Sequence, residues 1–583
     1  MIRWPFYRSK TSRHALQIGG DNPGIAISGN VKGDVIIHQN RRHPITRLNI
    51  PWEKTPDPKN IAAMLKWNSR IPARLIGRDR EMAELLQWAD SDSVFKLRIL
   101  HGEGGVGKTR FGFELADRLR KQGWNAGAMA ELDSSCTYEL GKKGLLLIID
   151  YPEEQGGAIK KLVNDLARLE LPPKTRLRIL LLSRRPELPE LPGKLEANYD
   201  PPFELSPLGQ GEEFAWELFS AGLAAMQKLQ SGSEKQLLDR EQFQEWLGSN
   251  PLHNRPLFLL AFARNLLEAP GQARLQGPAV IEALVRRESR RLRDEAEAKG
   301  LDGDGVLLLK SLAAVTGPID RPMLEKLRSV PDPEISLPPF GRVLTGSTLW
   351  DRNNKAITPL QPDLLAAWLL QSELAGDHLQ GGKWLYQAVT PKDKNSQKQA
   401  LQRLIRLLAD GRFILDRAET TLMAALVDYV QEQPERCNAL EVLVDMEQPT
   451  LFLLPLAITV TRHWLENCDD PVEEARILNN LSVDLAESGE RAEGLAAIKR
   501  SVEIREQLAA ENFAAYAPDL AGGLGNLSNR LAEAGDLAGA ISNLERAITL
   551  IQDFAIPNTT HGDWHQGMLH NLAKFKKRMA ENS

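Results

Sequence analysis

Eight consecutive residues, 102–109, have the types and the spacing of a phosphate-binding loop. They read GEGGVGKT and match the pattern GxxxxGK[ST], between an apolar run at 97–102 and a helix-like segment at 110–121. Glycines let backbone N–H groups turn toward phosphate oxygens, Lys108 can reach the β- and γ-phosphates, and the Thr109 hydroxyl can bind Mg²⁺. The pattern predicts a nucleotide site with these residues: Gly102, Gly104, Gly105, Val106, Gly107, Lys108, Thr109 and Arg110.

A carboxylate, Asp150, ends the apolar run GLLLIID at 144–150. At the end of a buried strand beside a phosphate-binding loop, such a carboxylate can hold Mg²⁺ directly or through water, although a plain capping Asp gives the same pattern. We predict Thr109 and Asp150 as the metal ligands. The next residue is Tyr151 rather than a carboxylate that could polarise water, and this predicts slow ATP hydrolysis.

Two arginines, Arg184 and Arg185, follow the apolar run at 176–183. In an open parallel sheet the carboxyl ends of the strands line the ligand crevice, and a guanidinium there can form paired hydrogen bonds with γ-phosphate oxygens. A solvated basic loop is the alternative. We predict Arg184, ahead of Arg185, as a sensor of the γ-phosphate, which with Lys108 and Asp150 completes the predicted catalytic set.

Those side chains require a parallel sheet to position them. The apolar runs at 97–102, 144–150 and 176–183 are short and nearly continuous, with helical patterns between them. This is typical of strands buried on both faces. We therefore predict an α/β nucleotide-binding domain at 71–205.

Beyond the sheet the sequence becomes mainly helical. We predict a helical lid domain at 206–300 and a winged-helix-like domain at 301–372. The second prediction rests on helical patterns at 306–314, 321–328 and 362–370 and a strand-turn-strand pattern at 341–359. Because PDLLAAWLL at 362–370 is apolar rather than basic, we expect it to pack internally and not to read DNA.

The C-terminal part contains an internal repeat. NLSVDLAESG at 480–489 aligns with NLSNRLAEAG at 526–535, an offset of 46 residues, and a third NLA begins at Asn571. Each unit reads as helix, turn at Gly, helix, which is tetratricopeptide-like. We predict such repeats, an α-solenoid, at 471–583 and a helical region at 373–470.

The first 70 residues are the least regular part of the chain. We predict a leader at 1–17, a Gly-rich β-hairpin or β-arc at 18–40 and a linker at 41–70. The segments GIAIS and DVIIH within 18–40 alternate as edge strands do, and they either pack as a simple hairpin or associate with another chain.

Composition narrows the class of protein. The 583 residues carry a net charge of −4, and the basic run RRESRRLR at 286–293 is surrounded by acidic residues, so we do not expect a nucleic-acid partner. The three cysteines are widely spaced, and neither a signal peptide nor a stretch of apolar residues long enough to span a membrane is recognisable. We therefore expect a cytoplasmic protein without a membrane partner.

In this order the motifs resemble the STAND class of signal-transducing P-loop ATPases, the relatives of NB-ARC and NACHT proteins. LIGRDRE at 75–81 resembles that class's GRxxE lead-in, and NRPL at 254–257 resembles its GxP turn, with Asn254 in place of the glycine. The resemblance implies that Gly77, Arg78 and Pro256 bind the nucleotide on the adenine side. It also implies an ADP-bound resting form, exchange for ATP on triggering, and self-association.

The resemblance implies an ATP/ADP-dependent switch that senses a protein or peptide trigger through its repeats. Bacterial members of the class act in antiviral defence or in signalling. Because few residues precede Gly77, we expect the output to come from a separate effector chain recruited through residues 18–40, unless the self-associated protein is itself the output. The alternatives are a nucleotide-controlled winged-helix transcription regulator and a conventional P-loop ATPase or chaperone.

Overall fold

The structure is a computed structural model, and it divides the chain into two compact units. It describes residues 14–17, 45–46, 48–53, 56–128, 137–155, 157–167, 175–188, 191, 198–208, 212–230, 237–269, 271, 273–332, 334–352, 354–374, 378–391, 393–416, 420–444, 451–555 and 560–582. The first unit comprises Met1–Ala314, Asp332–Leu369 and Phe413–Asp416. The second unit comprises Val315–Pro331, Leu370–Arg412 and Arg417–Ser583.

The strands belong to the first unit. They are β1 (His14–Gln17), β2 (Ile45–Thr46), β3 (Phe95–His101), β4 (Trp124–Ala128), β5 (Thr137–Leu140), β6 (Gly144–Asp150), β7 (Arg176–Ser183), β8 (Phe203–Glu204), β9 (Trp350–Asp351) and β10 (Ala356–Ile357).

Helices make up most of the rest of the described chain. Up to residue 316 they are α1 (Ile61–Leu65), α2 (Asp79–Ala89), α3 (Lys108–Lys121), α4 (Gly157–Ala167), α5 (Glu212–Leu229), α6 (Arg240–Gly248), α7 (Pro256–Glu268), α8 (Ala279–Glu297) and α9 (Gly303–Thr316). After it they are α10 (Arg321–Arg328), α11 (Arg342–Thr345), α12 (Asp363–Leu374), α13 (His378–Val389), α14 (Lys394–Phe413), α15 (Thr420–Gln431), α16 (Leu454–Glu466), α17 (Pro471–Ser488), α18 (Arg491–Glu511), α19 (Phe513–Glu533), α20 (Leu537–Ile551) and α21 (Thr560–Asn582). Among the described residues, no helix has the length and apolar character needed to cross a bilayer.

The predicted parallel sheet is present and has five strands in the order β4-β6-β7-β3-β8. Successive residues of β6 face opposite sides, so Leu146 and Ile148 pack with α2 and α3, whereas Leu145 and Leu147 pack with α4. The near-continuous apolar character of β6 and β7 follows from this double coverage. The short edge strand β8 and the strand β4 were not predicted from the sequence.

The segment expected to be a linker at 41–70 is partly regular. The strand β2 pairs with β5, and α1 buries all five of its residues. Asn60 caps this helix by accepting a hydrogen bond from the Ala63 amide at 2.8 Å. The expectation of a plain linker is therefore wrong for 61–65, because the IAAML run is apolar throughout and packs as a core helix.

Residues 14–17 of the expected leader form β1, which pairs antiparallel with β5. The predicted β-hairpin at 18–40 lies outside the described residues.

The helices and the hairpin of the predicted winged-helix-like segment occur in the predicted order, but residues 342–345, which we expected within the first strand, form the short helix α11. The strands β9 and β10 pair antiparallel, with Trp350 opposite Ile357, and the buried Lys310 of α9 donates a hydrogen bond to the Thr358 carbonyl at 2.9 Å. The apolar residues of α12 from Leu364 to Leu370 are buried, as expected. The segment is not one unit, however, because residues 315–331 belong to the second unit.

The basic run on α8 is paired with carboxylates of its own neighbourhood. Arg291 contacts Glu288 and Glu295, the latter at 3.1 Å, and Arg293 contacts Asp304 at 2.7 Å. Because Glu288 is buried and Arg291 is only partly exposed, part of this run lies against the protein rather than in solvent.

The C-terminal helices α17 to α20 form the two predicted helix-turn-helix units, and α21 follows them. Gly489 and Gly535 occupy the turns at φ +96° and +90°, a left-handed conformation that favours glycine. Asp470 caps α17 and Asp536 caps α20 through their carboxylates. The helices α18 to α21 share a core that includes Leu524, whereas Leu481 of α17 belongs to a separate core with Ala497 and Ile504 of α18.

Candidate nucleotide site

The candidate site is a cavity of about 250 Å³ in the first unit, at the carboxyl edge of the parallel sheet. Residues that directly follow β3, β6 and β7 line it, because parallel strands end at the same edge. The predicted site residues that line it are Arg78, Gly104, Gly105, Val106, Gly107, Lys108, Thr109, Arg110, Asp150, Arg184 and Pro256. Gly77 and Gly102 are not among the lining residues.

Three glycines hold the backbone around the loop in conformations that other residues avoid. Gly107 has φ +94° and leads directly into α3. Gly102 has φ +153°, and a Cβ there would lie 2.5 Å from the Leu205 carbonyl oxygen. Gly77 has φ +68°, with no room for a Cβ beside Phe214. Gly77 and Gly102 therefore bend the chain beside the cavity, rather than line it as predicted.

The ammonium of Lys108 is buried at the first position of α3. It donates hydrogen bonds to the carbonyls of Gly102 at 2.6 Å and Glu103 at 3.0 Å, within its own loop. Burial, and next the nearby guanidinium of Arg184, lower the pKa of Lys108 to about 7. An anionic ligand beside these two cations would stabilise both charges.

Thr109 and Asp150 form the pair predicted to bind Mg²⁺. The Thr109 hydroxyl donates to Asp150 Oδ2 at 3.0 Å. Burial raises the pKa of Asp150 to about 7, against the opposing effect of the Thr109 hydrogen bond. A hydroxyl beside a buried carboxylate is an oxygen donor set that suits a hard divalent cation.

A second carboxylate, Glu153, lies near this pair. Its charge contributes to the raised pKa of Asp150 and also acts on Lys108. Thus the position directly after Asp150 is a tyrosine, but a carboxylate is present three residues beyond Asp150 in the chain.

Arg184 begins the loop that follows β7. Its side chain is 18% exposed, and Nη2 lies 3.8 Å from Asp363 Oδ2. The adjacent Arg185 is exposed, so of the two only Arg184 lines the cavity.

Two buried guanidiniums hold the phosphate loop from outside. Arg255 donates to the Gly104 carbonyl at 3.0 Å and pairs with the Glu103 carboxylate. Arg78 donates to the carbonyls of Ser206 at 2.7 Å and Val106 at 3.4 Å. The sequence does not predict Arg255 as a site residue, because its contact is with a carbonyl that lies 151 residues earlier in the chain.

Pro256 directly follows Arg255 in the chain. It is the first residue of α7, and its Cγ is 4.0 Å from the place where a Cβ of Gly107 would be. The next backbone N–H, that of Leu257, donates to the Gly105 carbonyl at 3.1 Å. The NRPL segment therefore touches the phosphate loop, while the predicted role of Pro256 near adenine remains a prediction.

Apolar residues also line the cavity. The sequence predictions place some of them in the linker at 41–70 and others in the nucleotide-binding domain at 71–205. Trp67, Ile71, Pro72 and Leu75 line it. Arg110 donates hydrogen bonds to the carbonyls of Pro72 at 3.2 Å and Ala73 at 3.1 Å, so it positions this segment. The segment WNSRIPARLI at 67–76 contains apolar and aromatic residues without a clear period. The sequence alone therefore does not predict that this segment lines a binding cavity.

Tyr151 and Asp363 are also in the cavity and were not predicted as site residues. Tyr151, at φ +53°, donates a hydrogen bond from its hydroxyl to Asp363 Oδ2. Asp363 is the first residue of α12, a helix for which we had predicted only internal packing. Its charge acts on both Lys108 and Asp150.

No protein-family model matches the chain, and no curated protein gives a significant match. Among solved structures, the chain is similar to a signal transduction ATPase with numerous domains (STAND) with a tetratricopeptide repeat sensor from Pyrococcus horikoshii. The two are 11% identical, the match covers 87% of this chain and 89% of that chain, and the TM-score is 0.25. A TM-score this low supports no conclusion about function.

Proposed function

We propose that the chain is a STAND-type ATP/ADP-dependent switch. The observation that carries this proposal is the convergence of Lys108, the Thr109–Asp150 pair and Arg184 in one cavity. When a nucleotide is bound with Mg²⁺, the metal neutralises phosphate charge. Lys108 and the loop amides would hold the phosphates, Thr109 and Asp150 would hold the metal, and Arg184 would distinguish ATP from ADP.

The apolar wall supports a nucleoside rather than inorganic phosphate as the ligand. Trp67, Ile71, Pro72 and Leu75 line the same cavity as the phosphate-binding loop. A cavity lined by both apolar and cationic side chains suits a ligand with a base and a polyphosphate. We further propose that hydrolysis is slow, because Tyr151 takes the position that follows the metal-binding carboxylate.

The repeats are proposed to receive a protein or peptide trigger. A second cavity, of about 380 Å³, lies among the C-terminal helices and is lined by Asn479, Asn526, Asn529 and Asn571. Asn526 donates to Asn479 at 3.0 Å and Asn571 donates to Asn529 at 3.4 Å. Side-chain amides both donate and accept, as peptide bonds do, so they suit a peptide ligand.

The proposal includes self-association in the ATP state and recruitment of a separate effector chain through residues 18–40. A role in bacterial antiviral defence or signalling is part of it, on the resemblance of the motifs alone. Among the described residues, no observation favours the transcription regulator, since residues 364–370 of α12 are buried and Arg291 and Arg293 of the basic run pair with carboxylates.

The experiment is to measure nucleotide content, affinity and mass of the purified full chain. We expect co-purified ADP on a monomer, and ATP binding that is lost more than ADP binding in Arg184→Ala, because ADP lacks the phosphate that Arg184 would contact. Arg185→Ala, an exposed neighbour, is the matched control. Rapid turnover without any trigger would favour a conventional ATPase, and failure to bind either nucleotide would refute the proposal.

A further inference from the structure

The cavity of about 380 Å³ among the C-terminal helices, here called the repeat cavity, is lined by charged side chains as well as by the four asparagines. Arg505 of α18 and Asp519 of α19 both contribute to its wall. Asp519 is exposed, whereas Arg505 is partly buried and donates a hydrogen bond to the Asp519 carbonyl at 2.9 Å. The repeat cavity therefore contains a cation that is partly removed from water.

Arg505 differs from three other arginines of the repeat helices in its ionic partners. Arg500, Arg530 and Arg546 each lie within 4 Å of a glutamate carboxylate. Within the described part of the chain, no carboxylate forms an ion pair with Arg505, although the charge of Asp519 acts on it. Burial, against this opposing charge, lowers the pKa of Arg505. A cation that loses water without gaining a counter-ion is costly to the folded protein, and a bound anion would offset that cost.

Gly523 of α19 leaves the space in which the guanidinium lies. A Cβ at this position would be 2.7 Å from Arg505 Nη1. Gly523 lies inside a helix and has no left-handed φ, so its backbone conformation does not require glycine. The missing side chain instead allows Arg505 to extend from α18 across α19 toward the repeat cavity.

Glycines also leave room for a ligand beside the amides. Gly522, Gly525 and Gly567 line the repeat cavity, and a Cβ at Gly567 would meet nothing within 4 Å. Trp564, which is 40% exposed, lies next to Gly522, so an apolar surface adjoins the polar one. An extended main chain can approach α19 and α21 closely here, because no side chain projects from these positions.

We propose that the repeat cavity binds a carboxylate of the trigger peptide through Arg505, while the asparagine amides hold the peptide main chain. The inference rests on the proposed function, because it takes the repeats as the part that receives the trigger. A guanidinium has five N–H donors, so Arg505 retains donors beyond its bond to the Asp519 carbonyl. Its hydrogen bonds to a carboxylate are charge-assisted and therefore stronger than bonds between neutral groups. The carboxylate belongs either to an Asp or Glu side chain or to the peptide C-terminus, and both have the same chemistry.

The test compares Arg505→Gln and Gly523→Ala with the wild-type full chain. Arg505→Gln removes the charge, whereas Gly523→Ala displaces the guanidinium, because the new Cβ would lie too close to the flexible end of Arg505. The matched controls are the exposed Arg500→Gln in the same helix and Gly248→Ala, at an exposed helical glycine where a Cβ would meet nothing within 4 Å. We expect all four variants to melt within a few degrees of the wild type.

The probes are two pools of short random-sequence peptides, one with a free C-terminal carboxylate and one with an amidated C-terminus. Peptides that the wild type retains are identified by mass spectrometry, and one of them is titrated calorimetrically. We expect the retained peptides to share a carboxylate at one position. Arg505→Gln and Gly523→Ala should bind such a peptide about 10- to 100-fold more weakly than the wild type and the controls. Retention from the amidated pool identifies a side-chain carboxylate, and retention from the other pool alone identifies the C-terminus.

Two results would overturn the role of Arg505 and leave the repeats as a peptide receptor. They are retained peptides without a shared carboxylate, and equal affinity of Arg505→Gln and the wild type for a retained peptide. Failure of the wild type to retain any peptide would overturn the inference together with the peptide trigger. Binding of MgADP, measured on the same preparation, distinguishes all these results from failure of the proposed nucleotide switch.

Discussion

The candidate nucleotide cavity and the C-terminal repeats are built in opposite ways. In the cavity, charged side chains from distant parts of the sequence meet in a partly buried space, as when Tyr151 bonds to Asp363 across 212 residues. In the repeats, neighbouring helices pack through apolar side chains, and turns at Gly489 and Gly535 set the period.

This difference separates ligand binding from stability. Buried charges such as Lys108 are costly in the folded protein, so their role lies in what they bind. Repeats instead gain stability from each interface with a neighbour. We therefore expect substitutions in the cavity to change nucleotide affinity with little effect on stability, and substitutions in the repeats to do the reverse.

The largest effect should come from Lys108→Ala. Because the ammonium would contact the β-phosphate of either nucleotide, we expect ADP and ATP affinity to fall together by about 10- to 100-fold. Thermal melting without nucleotide should stay within a few degrees of the wild type, and the stabilisation by added MgADP should be lost. A variant that melts at a much lower temperature without ligand would show that Lys108 is mainly structural. That result would contradict the expected separation of ligand binding from stability.

A smaller effect is expected from Arg255→Ala, which removes the clamp on the Gly104 carbonyl and on Glu103. The phosphate loop would be less preorganised, so ADP and ATP affinity should each fall by about 3- to 10-fold. Arg255→Lys keeps the charge but not the paired geometry and should recover only part of the loss. Calorimetric titration of both variants checks this, with Arg274→Ala as a control arginine outside the cavity. A change in the ADP-to-ATP ratio would contradict a purely positioning role.

The sequence alone predicts those features of the fold and of the site that depend on residues close together in the chain. The loop at 102–109, the strand ending in Asp150 and the helical repeat each occupy one short segment, and the parallel sheet follows from runs of apolar residues. The glycines of the loop are required by positive φ angles at Gly105 and Gly107, a constraint that acts within a few residues.

The sequence was not sufficient where the site depends on tertiary contacts. Arg255 and Asp363 look like an ordinary helix-flanking arginine and an ordinary first-turn acid, and nothing in their neighbours indicates the loop or the cations they meet. Trp67 was assigned to a linker because apolar residues without a period predict no element. These residues become site residues only when the fold brings separate segments to one edge of the sheet.

The smallest effect on nucleotide affinity should come from Asp484 in α17, where we expect a substitution to change stability alone, and this tests the other half of the comparison. Asp484 is 5% exposed, and burial, with a contribution from Glu487, raises its pKa to about 7. The folded state therefore binds more protons than the unfolded state between about pH 4 and pH 7, and stability falls as the pH rises through that window. At pH 8, Asp484→Asn should stabilise the second unit by ~1–3 kcal/mol, while at pH 4 the two proteins should differ little.

Hydrogen exchange of the α17 amides at several pH values measures this locally, and the exposed Asp469→Asn serves as the matched control. Nucleotide affinity should be unchanged in both variants. Stabilisation by Asp484→Asn that is independent of pH would show that the charge of Asp484 is not the cause, and altered ADP affinity would show that repeats and nucleotide site are not separable in the resting protein.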